Sequence, residues 1–455
     1  MPILPDSVIA DAYRSETPWT VLKQLTASGD RMAGHPGERN AATLLEQRFK
    51  TIGLDDITVD EFDIRGWKRG TTTLTVDKAP VDRTFSGVNE IIALPQSPPA
   101  DLNGELVDVG YGRPADFEQA ELQGKIVLAT SGAPDGYGRW IHRNEKYARA
   151  VDHGATAFLY ASDSEGVLPE TGSISFTHES GEIPGFGVSY EVAHRLRLLN
   201  ETNTLTVTLN SDCSGFPATS QNVSGSLGPD TDRQVLVTAH YDSHDIAEGA
   251  GDNGCGTALM VELARLLEQV ADDLETRVRF VAFGAEELGM LGAEHWLQTH
   301  DGDRVKCQIN IDGVGNSETL KVNNNGFEPV ARTFNAVADE LHSPIESEAV
   351  IRPHGDQWPF VKRGIPGIMT GSAGDGRFPY AHTAADTIDK INPRDLVSLA
   401  IPLVCGVYRL TDANLSVPHK STNAIQAALH PDYESGLRAE GRWPWGTPPV
   451  EQQYR

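Results

Sequence analysis

Positive charge is what this chain has least of. Against 64 Asp and Glu stand 38 Lys and Arg, of which 11 are Lys, and the net charge is −26 at pH 7. Phosphate binding needs basic patches, so the charge argues against nucleic acid or anionic membrane as a partner. Hydrophobic content is 39%, which fits globular material, so Lys-poor acidity predicts a solvated acidic shell of the kind salt-loving organisms use. Cysteine is scarce as well. Cys213, Cys255, Cys307 and Cys405 have no close pairing, which reads as free thiols in a reducing cytosol. No stretch approaches the length of a membrane span, and Met1 to Trp19 has no basic segment leading into an apolar one. A cytoplasmic protein with no membrane partner is therefore expected. Internal repeats and long low-complexity tracts are missing too, and nothing in the sequence fixes an oligomeric state.

What is present suggests two domains, since 455 residues exceed one ordinary domain. Residues 17–52 carry Leu22, Leu25, Leu44, Leu45, Phe49 and Ile52 at helical spacing, interrupted by Gly34-His35-Pro36-Gly37. Thr58 to Ile64 reads as a strand. From about 80 to 212 short strands, such as Glu105 to Val109 and Lys125 to Ala129, alternate with Gly-, Pro- and Asp-rich turns. One helix, Arg143 to His153, interrupts them. Beyond Gln221 strands and helices alternate: Val235 to Val237, Thr257 to Val270, Val278 to Phe283, Leu288 to His300, Cys307 to Ile311, Pro329 to Leu341. Asn392 caps a last helix with Pro393 at its first position. That alternation predicts an α/β fold, a mostly parallel sheet flanked by helices, with a β-rich insert. The division is 1–79 and 213–414 for the main domain, 80–212 for the insert and 415–455 for a Pro-rich tail expected to be irregular.

Chemistry gathers where the strands end, which is where open α/β sheets place it. Gln234 to Ala239 is an apolar run closed by His240, and the Gly-rich turn after it presents Asp252. Phe280 to Ala285 runs into Glu286-Glu287, Ile309 to Ile311 into Asp312, and the loop after Pro366 to Met369 carries His382. Imidazoles with carboxylates suit Zn²⁺ better than Ca²⁺. A pair of ions needs one bridging carboxylate, and Asp252 has only small neighbours to block its approach to both. Asp242, two residues past His240, is placed to orient its imidazole. Of Glu286 and Glu287, one can bind metal while the other takes a proton from water.

Ala239-His240-Tyr241-Asp242-Ser243, Gly251-Asp252-Asn253-Gly254, Phe283 to Gly289, Asn310-Ile311-Asp312 and His382 to Thr387 resemble the M28 family of zinc metallopeptidases. Arg31-Met32-Ala33-Gly34-His35-Pro36-Gly37 is similar to the family's loop between its first two helices. Asp108 to Gly112, Asp116-Phe117, Gly124 to Leu128 and Gly154 to Ala157 are similar to the protease-associated (PA) domain that interrupts many such peptidases. The resemblance implies two zinc ions: His240 and Asp312 on one, Glu287 and His382 on the other, Asp252 bridging, and Glu286 as general base. The implied activity is an aminopeptidase acting on peptides. Carboxypeptidase action, with Arg352 and Arg363 as candidate carboxylate binders, and glutaminyl cyclisation are the alternatives on the same scaffold. A metal-free binding protein would have a damaged ligand set, and none of the six positions is damaged.

Departures from the family pattern also matter. Ala381 holds the place of a tyrosine that serves the oxyanion in relatives, which leaves Tyr380, one residue back, as the candidate. Asp356 sits in a pocket segment, Gly355-Asp356-Gln357, where Gln357 replaces the usual histidine. Asp386 follows Thr383 at capping-box spacing and is expected to cap a helix. Cys255 replaces a small Ser or Ala. His244, Asp245, Glu248 and His354 read as loop residues and not as ligands.

Overall fold

A computed structural model of the chain describes residues 3–78, 81–176, 179–201, 204–374 and 378–446. The boundary placed at 79/80 and the last prolines of the tail, Pro448 and Pro449, lie outside the described residues. The chain divides into two compact units. The first takes residues 1–66 and 216–420 together with Phe176, and the second takes the rest of 67–215 and the chain from Ser421 onward.

The first unit is built on an eight-stranded sheet. Its spatial order is Asp55–Lys68, Ser214–Leu227, Arg277–Phe283, Gln234–His240, Val305–Ile311, Gly367–Ser372, Leu320–Asn323, Ile345–Glu348. The four central strands run parallel, and Ser214–Leu227 lies antiparallel to Arg277–Phe283. Val235 to Ala239 and Val278 to Phe283 are apolar on nearly every residue because both sheet faces are covered. Each such Val, Leu or Phe removed from water contributes roughly 1.5–3 kcal/mol. The few polar residues inside pair with one another. Thr238 donates to Asn310 at 2.8 Å and Gln308 donates to Thr238 at 3.0 Å, tying two neighbouring strands.

Register then decides where the site falls. His240 lies opposite Phe283, Thr238 opposite Asn310, and Ile311 opposite Thr370. The four strands therefore end together, and their following loops share one edge.

Most expected elements are present within a few residues. The stretch 17–52 is two helices, Thr17–Thr26 and Pro36–Ile52, and a further helix, Asp6–Arg14, precedes them. Asn392 accepts from Arg394 N as the cap of Pro393–Leu410. The helix expected from Leu288 begins later, at Leu291–Thr299. Residues before it form a turn in which Gly289 N and Met290 N both donate to the carbonyl of Glu286.

The second unit has its own eight-stranded sheet, ordered Val81–Ser86, Thr72–Lys78, Thr206–Ser211, Ala100–Asp108, Ile126–Thr130, Ala157–Ala161, Gly185–Val188, Ile91–Ala93. Phe117, Val127, Phe158, Tyr160 and Ile174 form its core. Beside them the helix Arg143–Asp152 buries charge. Lys146 donates to the carbonyls of Thr130, Ser131 and Gly132, and Glu145 is paired by Arg139 and Arg149. The tail is less irregular than its prolines suggest. It holds helices Thr422–Ala428 and Pro431–Ala439. Pro431 stands in the first turn, where a missing N–H costs nothing, and His430 caps it by accepting from Asp432 N. Ser435 accepts a hydrogen bond from Arg149, so the tail packs on that unit's own helix.

Candidate metal centre

Two carboxylate oxygens organise the site. Asp252 Oδ1 lies 3.3 Å from His240 Nε2, and Asp252 Oδ2 lies 3.2 Å from His382 Nε2. Asp312 Oδ1 is 3.8 Å from the same His240 nitrogen, and Glu287 Oε2 is 3.4 Å from that of His382. Three of the four are longer than ordinary N–H···O hydrogen bonds. All but the Asp312 separation lie close to the spacing of donors sharing an ion, because ligands about 2.0–2.1 Å from a tetrahedral zinc lie about 3.3 Å apart.

Local structure holds Asp252 there. Asn253 donates to the carbonyl of Ile311 at 2.9 Å, and Thr257 donates to the carbonyl of His240 at 2.7 Å. The turn and the helix Cys255–Glu268 that follows it are thus fastened to two strand ends. Gly256 is required for this approach, since an added Cβ would lie 2.3 Å from the Ile311 oxygen. Asp386 accepts from Gly251 N at 2.6 Å and Asp252 N at 3.0 Å. It does not cap a helix, contrary to its capping-box spacing: its carboxylate is taken by the Asp252 turn. Phe378 lies against Gly251 from the other side.

Asp242 is fully buried and has a double role. Its Oδ1 is 3.5 Å from His240 Nδ1, an ion-pair separation, while its two oxygens accept from Glu286 N and Glu287 N at 3.1 and 3.2 Å. It therefore pins the backbone of the Glu286-Glu287 turn more firmly than it orients the imidazole. Ala285, Met290 and His382 have positive φ (54°, 62° and 60°), the left-handed region that side-chain-bearing residues seldom adopt.

Electrostatics shows why so many acids in one place need a partner. Burial lifts the Glu286 carboxyl well above the ordinary range, and Asp356, Glu287 and Asp312 add to the lift while His240 opposes it. Glu287 is pushed up to about 7, chiefly by burial. Asp356 is fully buried, neither of its oxygens has a hydrogen-bond partner among the described residues, and burial raises it strongly. Burial would depress His240, but the carboxylates of Asp242, Asp252 and Asp312 raise it well above an ordinary imidazole. Buried charges persist only when paired or bound to metal. Acids outnumber the cations here, and orphaned oxygens remain, so the donor set fits metal ions.

Tyr380 is arranged differently. Its ring meets Phe378 edge-on at 5.5 Å and carries the Lys390 ammonium at 5.6 Å. It serves the loop through its carbonyl, which accepts from Thr383 N and Oγ1. Residues 375–377 just before it lie outside the described residues. Gln357 donates to the carbonyl of His354 at 2.6 Å, closing its own turn. Cys255 is fully buried, which raises its thiol well above the usual range and makes it packing rather than a reactive group.

The sequence model of peptidase family M28 matches residues 222–401, and that of the PA domain matches 102–196. Aminopeptidase YwaD of Bacillus subtilis is 32% identical over 87% of this chain and 85% of its own length. The chain belongs to peptidase family M28. Carboxypeptidase Q of Mus musculus is 22% identical over 86% of this chain and 84% of its own. The structure of BSAP, a zinc aminopeptidase from Bacillus subtilis, matches with TM-score 0.68 at 28% identity, covering 89% of this chain and 98% of that one. The chain is a metallopeptidase with a PA domain in its sequence.

Three residues of this M28 peptidase matter more than the sequence suggested. Arg31 is fully buried and donates to the carbonyls of Tyr241, Glu248 and Gly249 at 2.8, 2.6 and 2.8 Å. It clasps both ends of the loop joining His240 to Asp252. Glu38 accepts from Gly34 N at 2.7 Å and from Ser220 Oγ at 2.5 Å, and burial pushes it up to about 8. His244 has its Nε2 2.8 Å from Glu287 Oε2. A Gly-rich loop between helices was the one sequence signal for Arg31; a lone His or Glu gives none.

Proposed function

We propose that the chain is a zinc aminopeptidase using two ions to remove residues from the free amino terminus of peptides. The observation that carries this reading is the sharing of Asp252, with one histidine 3.3 Å from one oxygen and another 3.2 Å from the other. His240, Asp252 and Asp312 would hold one ion, and Asp252, Glu287 and His382 the other. Bound there, the ions would polarise the scissile carbonyl and acidify water. Glu286 then handles the proton. Its backbone is held by Asp242, and its raised carboxyl is suited to accept a proton from water and deliver it to the leaving amine.

An acid-rich pocket favours a substrate's ammonium end over its carboxylate. Asp356 would add to that preference. Arg352 is paired with Glu348 at 2.5 Å and Arg363 with Glu294 at 3.1 Å, so neither candidate carboxylate binder is uncommitted. This supports amino-terminal over carboxy-terminal action, despite the carboxypeptidase Q relatives.

The deciding experiment is metal content together with cleavage of aminoacyl-nitroanilides, N-blocked peptides and glutaminyl peptides. About two zinc per chain with chelator-sensitive release of free amino-terminal residues is expected. Cleavage confined to N-blocked peptides would replace the reading with a carboxypeptidase. One ion with pyroglutamate formation would replace it with a cyclase. No metal and no turnover would leave a binding protein.

Two further elements of the proposal concern surroundings. The net charge of −26 supports function in molar salt, and unfolding on dialysis out of KCl is expected; full stability in dilute buffer would reject it. Four free cysteines, all buried, support a cytoplasmic location, which cell fractionation would check. Among the described residues no helix is long and apolar enough to cross a membrane.

A further inference from the structure

We propose that Phe176 is a specificity-determining residue of this peptidase and forms an apolar wall for the side chain of the substrate's second residue. The inference rests on the aminopeptidase reading above and assigns a subsite to it. Phe176 falls inside the stretch 102–196 that matches the PA domain, yet it groups with the first unit, while 67–175 and 179–215 group with the second. The insert sequence thus contributes a side chain to the unit that holds the strand-end centre.

That side chain lies on the turn that carries Glu286. A Cβ added to Gly289 would lie 2.6 Å from Phe176 Cδ1, 2.9 Å from its Cβ and 3.0 Å from its Cα. Backbone as well as ring is in contact, so any side chain at 289 would push the two segments apart. Gly289 also has φ 120°, a conformation that favours glycine. Leu288 and Met290 on either side are buried, whereas Phe176 is half-buried and part of it stays accessible. Gly289 N donates to the carbonyl of Glu286 at 2.7 Å, and Asp242 holds the other end of the turn through Glu286 N and Glu287 N. The ends of such a turn lie within about 7 Å of each other, which puts Phe176 beside the residue proposed to move the proton.

The path of that proton decides which part of a peptide meets Phe176. Glu286 delivers it to the leaving amine, so the residue after the scissile bond lies on the Glu286 side. Elsewhere around Glu286 the neighbours are ionisable: His240, Asp356, Glu287 and Asp312 all act on its carboxyl. Phe176 is apolar, and an apolar or aromatic side chain on the substrate's second residue gains by packing against it. The favoured substrates are therefore peptides whose second residue is large and apolar.

The test is kcat and KM of the full-length, zinc-loaded enzyme on two series of dipeptide amides. One keeps leucine first and varies the second residue through glycine, alanine, leucine, phenylalanine and glutamate. The other keeps glycine second and varies the first residue. Wild type should favour leucyl-phenylalanine amide over leucyl-glycine amide by about tenfold or more in kcat/KM. Phe176→Ala should bring that ratio to within about threefold, through KM more than kcat, and keep the rank order of first residues. Phe176→Tyr should restore the ratio. The same ratio in Phe176→Ala as in wild type would overturn the proposal. So would an equal fall in kcat on every peptide, which would make Phe176 a support of the turn. Phe176→Lys guards against a misfolded alanine variant, because a misfolded enzyme gains no activity. It should raise leucyl-glutamate amide about tenfold relative to leucyl-phenylalanine amide, and no such shift would refute the contact. Release of no amino-terminal residue from any peptide by wild type would instead overturn the aminopeptidase reading, and this proposal with it.

Discussion

In the second unit Lys146 is fully buried, and its ammonium meets three carbonyl oxygens; Glu145 beside it is paired by two arginines. In the first unit Asp356 is buried as deeply, Glu287 nearly so and Glu286 is half-buried, yet among the described residues Asp356 has neither oxygen satisfied and Glu287 lacks a partner for one. Both regions bury charge. One satisfies the Lys146 ammonium and the Glu145 carboxylate from within, which fixes a helix on a sheet. The other leaves acids in excess over cations, which is costly in a closed core and fits a set that metal would complete. Unsatisfied buried charge, rather than buried charge as such, separates the reactive centre from the scaffold.

The sharpest way to break that comparison is Glu286→Gln. Turnover should fall by about 10²–10⁴-fold while zinc content stays unchanged, as read by steady-state kinetics and metal analysis. Activity near wild type would remove Glu286 from the chemistry. On the other side, Lys146→Met should leave three carbonyls without their donor and destabilise the second unit by about 3 kcal/mol. Peptide-resolved hydrogen exchange would show the loss confined to that unit, with zinc content retained. Next comes Asp386→Ala, which strips the acceptor from Gly251 N and Asp252 N. Metal affinity should drop by about 10–100-fold, measured by competition with a chelator, with the strands below unaffected.

The smallest effects concern pH, and the two units should respond with opposite sign. Glu38 is raised to about 8 in the fold from an ordinary 4.5, so the folded state holds a proton that the unfolded chain releases between these values. Its contribution is complete below about 4.5 and is lost as pH rises through 8, at most about 1.4 kcal/mol per pH unit. Lys146 is lowered to about 7 from 10.5, so there the unfolded chain binds the extra proton, and stability of that unit rises between those values. Glu38→Gln should flatten the decline in the first unit and leave the rise in the second, again by hydrogen exchange across pH. Equal slopes in wild type and variant would show that Glu38 does not titrate as its burial requires.

Much of the fold was legible because buried parallel strands leave continuous apolar runs, and Val235 to Ala239 and Val278 to Phe283 are of that kind. The centre was legible for a related reason: sheets of this class present side chains where strands end, so His240, Glu286-Glu287 and Asp312 announce themselves by following such runs. The helix caps were readable at Asn392 but misleading at Thr383, where the carboxylate of Asp386 is drawn away by a turn more than a hundred residues earlier in sequence. Prolines misled in the tail, because Pro431 starts a helix as easily as it ends one.

By itself the sequence determined which residue types stand at the ends of the central strands, and hence that imidazoles and carboxylates would converge. Local pattern is enough for this, since strand burial and the two-residue period are properties of neighbouring residues. Tertiary structure alone decided which of the other polar residues join them. Arg31, Glu38, His244 and Asp386 lie in segments whose own sequence gives no sign of each other. They meet because register aligns four strand ends and because every buried N–H, carbonyl and carboxylate there must find a partner across the fold.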